Sequence, residues 1–77
     1  MDIKVLGPGC HRCEATEKNV RDAVAEVGID AEVVKVTDSM KIARHGVFGT
    51  PAVVVNGQIK CVGKVPTKEE VKEWISG

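Results

Sequence analysis

The stretch "PAVVVNGQIKCV" at residues 51–62 constrains the fold of this chain more than any other. Two β-rich runs flank Asn56-Gly57, the pair preferred at the centre of type I′ hairpin turns, so they are predicted to form antiparallel neighbours. Pro51 lacks an N–H and belongs at the start of a strand or at a sheet edge rather than inside a sheet. Only ~5% of X–Pro bonds are cis, so Thr50-Pro51 does not by itself disclose its isomer.

Upstream, helical and extended patterns alternate. "DIKVL" is a short apolar run closed by Gly7-Pro8-Gly9, a strand followed by a tight loop. From Cys10 to Val27 the apolar residues Cys13, Val20, Ala23, Val24 and Val27 recur at three- and four-residue steps. Glu14/Lys18 and Glu17/Arg21 occupy the polar face, and Gly28 stands at the C-terminal stop, which predicts an amphipathic helix. "AEVVKV" reads as a second strand. "TDSMKIARHG" reads as a short helix with cap candidates Thr37, Asp38 and Ser39, closed by Gly46. After the hairpin, Thr67-Lys68-Glu69-Glu70 matches a capping box, and Val71, Trp74 and Ile75 mark one face of a last helix. The predicted order is β-α-β-α-β-β-α, an α/β fold with one mixed sheet and helices packed on it. Strands separated by helices imply parallel crossovers, and the Asn-Gly turn implies an antiparallel pair.

With 77 residues the chain is expected to form a single domain over residues 1–77, small enough to bury only roughly 60% of its unfolded surface. Phe48 and Trp74 are its only aromatic residues, so the core must rest on Val, Ile, Leu and Ala. Eleven basic and eleven acidic residues cancel, leaving no phosphate-neutralising stripe and no stacking platform for nucleic acid. No apolar run approaches the ~20 residues that span a bilayer. The start "MDIKVLGPG" lacks the basic and apolar regions of a secretory signal. Three cysteines, two of them in a CxxC, suit a cytoplasmic redox or metal protein better than a disulfide scaffold.

That CxxC is Cys10-His11-Arg12-Cys13, at the junction of the first strand and first helix. Thiol chemistry runs through the thiolate, and a helix N-terminus favours an anion through its unpaired N–H groups and dipole. His11 and Arg12 add positive charge beside Cys10, so they are candidate pKa-tuning residues and a depressed Cys10 pKa is expected. Cys13 lies one helical turn further in, within reach of a disulfide to Cys10. The first sulfur would be the exposed attacker and the second the more buried resolver. Two duller readings stand beside this one. The thiols can be small apolar fillers, or half of a zinc site, whose remaining ligands would have to come from His11, His45 and Cys61. Redox chemistry is the leading reading, and no metal or other cofactor is expected.

Taken together, the CxxC after the first strand, Thr50-Pro51 before the third and the element order resemble the thioredoxin fold over essentially all 77 residues. "HGVFGTPAVVVNGQ" is similar to the thioredoxin stretch that leads through a proline into a strand and hairpin. "GPGCHRC", "TPAVVVNGQ" and "GKVPTKEEVKEWI" are closest to small archaeal and bacterial redox-active disulfide proteins of this family. The resemblance implies a four-stranded sheet with helices on both faces, the second strand on one side of the first and the third and fourth on the other. It implies a cis Thr50-Pro51 facing the Cys10–Cys13 pair, with the Thr50 backbone pairing to an extended substrate. Cys10 would be the nucleophile and Cys13 the resolving cysteine. It implies a protein-disulfide oxidoreductase, with protein disulfide substrates and an electron donor of the thioredoxin-reductase type, here expected as a monomer. Departures from the pattern are Gly9 in place of the tryptophan before the first cysteine, His11-Arg12 between the cysteines, and no acidic residue in the first strand matching the buried carboxylate of thioredoxin. Gly63-Lys64 stands where glutaredoxins carry Gly-Gly for glutathione.

Elsewhere the readings are structural. Cys61, in register with Ile59, is expected to point inward with the apolar set. His45 suits the end of the short helix, and Trp74 is expected to anchor the last helix in the core. The alternative function is a soft-metal module binding copper(I) or zinc through the CxxC. Such modules have the order β-α-β-β-α-β, with no helix before the hairpin.

Overall fold

The computed structural model describes residues 1–9, 11–47 and 49–76. Its elements follow the expected order: β1 (Asp2–Leu6), α1 (His11–Val27), β2 (Glu32–Val36), α2 (Ser39–Arg44), β3 (Ala52–Val55), β4 (Gln58–Val62) and α3 (Lys68–Ser76). The four strands form one sheet in the order β2-β1-β3-β4. β1 pairs parallel with β2 from Asp2↔Glu32 to Leu6↔Val36, and antiparallel with β3 from Ile3↔Val55 to Leu6↔Ala52.

Local chemistry accounts for each boundary. Asn56 and Gly57 both take positive φ, 50° and 82°, as a two-residue hairpin of this kind requires. The Asn56 side chain also accepts from the Asp2 N–H at 2.9 Å, and its own N–H donates to the Asp2 carbonyl at 2.7 Å. The turn is thereby fastened to the central strand. Asp38 caps α2, its carboxylate accepting from the N–H groups of Met40 and Lys41. The capping box at α3 is reciprocal: Glu70 N–H donates to Thr67 Oγ1 at 3.1 Å, and Thr67 N–H donates to Glu70 Oε1 at 3.3 Å.

The sheet buries both faces. Ile3, Val5, Val53, Val55 and Cys61 face Val20 and Ala23 of α1 and Val71 and Ile75 of α3. Leu6, Ala52 and Val54 face Ile42 of α2 and Val47. β3 is consequently buried at all four positions, the reason it reads as an unbroken apolar run. Trp74 is half-buried and packs against the first cluster, whose α3 anchors are Val71 and Ile75. His45 is the residue that closes α2, its N–H donating to the Ile42 carbonyl at 3.1 Å.

The reading of β4 needs one correction. Cys61 is buried at 9% exposure, but Ile59, which simple alternation puts on the same face, is 44% exposed. The register explains it: Val53 pairs with Cys61 and Val54 with Ile59, so Lys60 is an extra residue in a β-bulge. The bulge rotates the strand between the two residues. Cys61 faces the α1/α3 side, while Ile59 and Val62 share the other side beyond the reach of α2. We therefore expect Ile59→Lys to change unfolding free energy by no more than ~0.5 kcal/mol. Cys61→Lys should cost at least ~2 kcal/mol, because it buries an unpaired ammonium. Urea unfolding of the two variants measures the contrast, and equal costs would remove the bulge from the explanation.

Ion pairs tie α1 to α3. Glu26 contacts both Lys68 and Lys72, the latter at 3.3 Å. Hydrogen bonding to Lys68, then to Lys72, holds the Glu26 carboxyl below its ordinary value of 4.5. A carboxylate with a lowered folded-state pKa contributes stability above its unfolded value and loses it as pH falls through the folded one. Glu26→Gln should therefore lower the urea midpoint at pH 7, with the gap to the parent protein closing as the pH is lowered to ~3. A gap of the same size at both pH values would assign the loss to packing.

Candidate active site

The site is built where β1 ends. Leu6, the last residue of β1, pairs with Val36 and Ala52, and Gly7 continues the ladder by donating its N–H to the Val36 carbonyl at 2.9 Å. Pro8 and Gly9 then turn the chain toward α1, and Gly9 takes a φ of 97° that suits glycine. Of the cysteine pair, Cys10 lies outside the described residues. Cys13 is in the first turn of α1 and fully buried.

Gly7 explains how the Cys13 thiol fits so close to the strand. A Cβ on Gly7 would overlap the Cys13 sulfur, come within 3.1 Å of Cys13 Cβ and stand 3.9 Å from Pro51 Cα. The sulfur of Cys13 and the backbone of Pro51 thus meet over one glycine. The Thr50-Pro51 peptide is cis, as the resemblance implies, and Pro51 is fully buried while Thr50 is half-exposed. Beside Thr50 an apolar pocket of about 220 Å³ opens, lined by Pro8, Ser39, Ile42, Ala43, Val47 and Thr50.

His11 and Arg12 are exposed on the first turn of α1. The Arg12 guanidinium reaches across to donate to the Gly63 carbonyl at 2.8 Å, and its carbonyl accepts from Thr16 Oγ1 at 2.8 Å. That bond satisfies the hydroxyl of Thr16, the buried polar residue that completes the α1 stripe. Cys61 stands apart from this constellation. Its thiol donates to the Lys64 carbonyl at 3.8 Å, and burial pushes its pKa up, against a smaller opposing effect of the Val53 backbone. Among the described residues no group of three or more His, Cys, Asp or Glu side chains could hold a metal ion, and no helix is long and apolar enough to cross a membrane.

The residue-level reading missed Gly7 and Gly63. Gly7 had a signal in the sequence, a glycine between an apolar strand and a CxxC, where a backbone must be approached closely. Gly63 had none beyond its place after β4, because Arg12, which donates to its carbonyl, is 51 positions away along the chain.

A family profile described as a thioredoxin domain matches residues 1–76. The chain belongs to the thioredoxin family. A thioredoxin of Methanothermobacter thermautotrophicus is 42% identical over 76 residues, which cover 99% of each chain. A thioredoxin of Methanocaldococcus jannaschii is 51% identical over 71 residues, 92% of this chain and 81% of that one. A probable thioredoxin of the former organism is 33% identical over 80 residues. The protein is a thiol–disulfide oxidoreductase of this family. Its observed helix α2 between β2 and β3 also departs from the β-α-β-β-α-β order of the metal modules considered above.

In this thioredoxin-family site the glycine at position 7 is a steric requirement. Its φ lies outside the left-handed region, so a larger residue is opposed by the Cys13 sulfur and not by backbone conformation. Gly7→Ala should destabilise the fold by ~1–3 kcal/mol through overpacking. Urea unfolding checks this, and a variant as stable as the parent would mean that the sulfur can move aside.

Proposed function

We propose that the protein reduces disulfides of other proteins through a reversible Cys10–Cys13 disulfide, acting as one domain in the cytoplasm. The observation that carries this reading is the meeting of the Cys13 sulfur and the cis-prolyl loop over Gly7. The chemistry follows from it. The Cys10 thiolate attacks one sulfur of the client disulfide, that S–S bond breaks, and the second client sulfur leaves as a thiolate. The Cys13 thiolate then attacks Cys10 in the mixed disulfide, releasing the other client thiolate and leaving Cys10 bonded to Cys13. Two electrons pass from the cysteine pair to the client. A dithiol or flavin-dependent reductase of the thioredoxin-reductase type must return them.

Each neighbouring residue has a part. The Thr50 backbone pairs with an extended client segment and Pro51 holds that loop against the sulfurs. His11 and Arg12, with the N-terminus of α1, favour the Cys10 thiolate. The burial of Cys13 supports its role as the resolver, because a shielded sulfur is poorly placed to meet a client first. The client supplies its own disulfide, so the reaction requires no cofactor on this chain, and a monomer suffices for it.

The asymmetry of the two cysteines is the test. Cys13→Ser should accumulate mixed disulfides with client proteins in cells, because the first step proceeds and the second cannot. Cys10→Ser should accumulate none. Non-reducing electrophoresis followed by reduction of the trapped adducts reads the difference. Equal trapping by the two variants would overturn the assignment of roles.

A further inference from the structure

Arg12 is read above only as a charge beside Cys10, yet its guanidinium is engaged elsewhere. It donates to the Gly63 carbonyl at 2.8 Å, at the exit of β4. Gly63 in turn donates its N–H to the Pro51 carbonyl at 2.8 Å. Two hydrogen bonds in series therefore join the first turn of α1 to the cis-prolyl loop, with one peptide unit on either side of Gly63 Cα as the link. The link has little freedom. Gly63 takes a φ of 77°, and a Cβ on Gly49 would stand 3.5 Å from Gly63 Cα and 3.4 Å from Val62 Cγ1, so the backbone before Thr50 also lies against it.

Only a long side chain with a donor at its tip can make this connection from an exposed position on α1, and a guanidinium presents several donors in a rigid fork. We propose that Arg12 is a positioning residue. By holding Gly63, and through it Pro51, it sets the separation between the N-terminus of α1 and the loop that grips an extended client. This rests on the reading that Thr50 pairs with the client and Cys10 attacks it. It adds that the dipeptide between the cysteines shapes the client-binding gap as well as the thiolate.

The two roles of Arg12 separate by comparing clients. Thiolate stabilisation affects attack on any disulfide, whereas the gap matters only for a client that lies along the loop. The reduced parent protein and Arg12→Met are mixed, without other reductant, with insulin or with neutral 4,4′-dithiodipyridine, and second-order rate constants are measured. The ratio of the insulin constant to the dithiodipyridine constant should fall about fivefold in Arg12→Met, the scale of one lost hydrogen bond. Hydrogen exchange of the Gly63 amide should quicken in the same variant, because its acceptor loop is no longer held. A ratio that stays constant, with both rates falling together, would leave Arg12 as a charge alone and overturn the proposal. So would an unchanged Gly63 exchange rate. Failure of the parent protein to reduce insulin would instead overturn the proposed function, while Gly63 exchange would still report on the tether.

Discussion

Antiparallel pairing between β1 and β3 brings the ends of two distant segments to one place. In that register Leu6 lies opposite Ala52, so the residue leaving β1 is Gly7 and the residue preceding β3 is Pro51. The CxxC loop and the cis-prolyl loop therefore emerge from the same end of the sheet, side by side. A parallel β3 would carry Pro51 to the opposite end of a four-residue strand, roughly 13 Å away at ~3.3 Å per residue. The direction of one central strand thus decides whether these segments can share a site.

Holding β3 in that position is the work of two unequal cores. On one face α1 and α3 cover Ile3, Val5, Val53 and Val55, and the Glu26 pairs with Lys68 and Lys72 join the two helices at the rim. On the other face the six-residue α2 covers Leu6, Ala52 and Val54 through Ile42. Each fully buried Val, Leu or Ile side chain contributes ~1.5–3 kcal/mol, so a core almost without aromatics is sufficient if both faces are filled. The short cover leaves the outer edge of the second face open. There the bulge at Lys60 turns Ile59 and Val62 toward solvent, and a bulged, lysine-bearing edge is a poor template for another strand.

Local chemistry was legible in the sequence and long-range geometry was not. The Asn56-Gly57 turn, the Thr67/Glu70 capping box and the Asp38 cap depend on residues within a few positions of one another, and each formed as its pattern implied. Residues alone indicated a parallel crossover and a hairpin, but β3 as the other neighbour of β1 came only from the thioredoxin resemblance. The bulge escaped because Gln58-Ile59-Lys60-Cys61 alternates polar and apolar residues through the extra position, as an unbulged strand would. Thr16 escaped because a hydroxyl bonded to the carbonyl one turn back can fill an apolar stripe, and hydropathy does not register that bond. At the site, the CxxC and Thr50-Pro51 were visible as motifs. The fit of the Cys13 sulfur against Gly7 and Pro51, and the bond from Arg12 to Gly63 across 51 positions, became apparent only in three dimensions.

A chain of this family with a third cysteine risks unwanted exchange, and the structure sets its two described cysteines, Cys13 and Cys61, in different environments. Thiol–disulfide exchange proceeds through a thiolate that can reach the sulfur it attacks. Burial raises the pKa of Cys61, so little of it is ionised near neutrality, and its S–H is directed to the Lys64 carbonyl. Cys13 is also buried, but at the opening of a helix and against a glycine, so its shelter lies within the mouth of the site. Burial therefore has opposite consequences at the two positions. In the sheet core it keeps a thiol out of the chemistry. In the first turn of α1 it screens a thiol from solvent at the end of the sheet where β1 ends and the cis-prolyl loop begins.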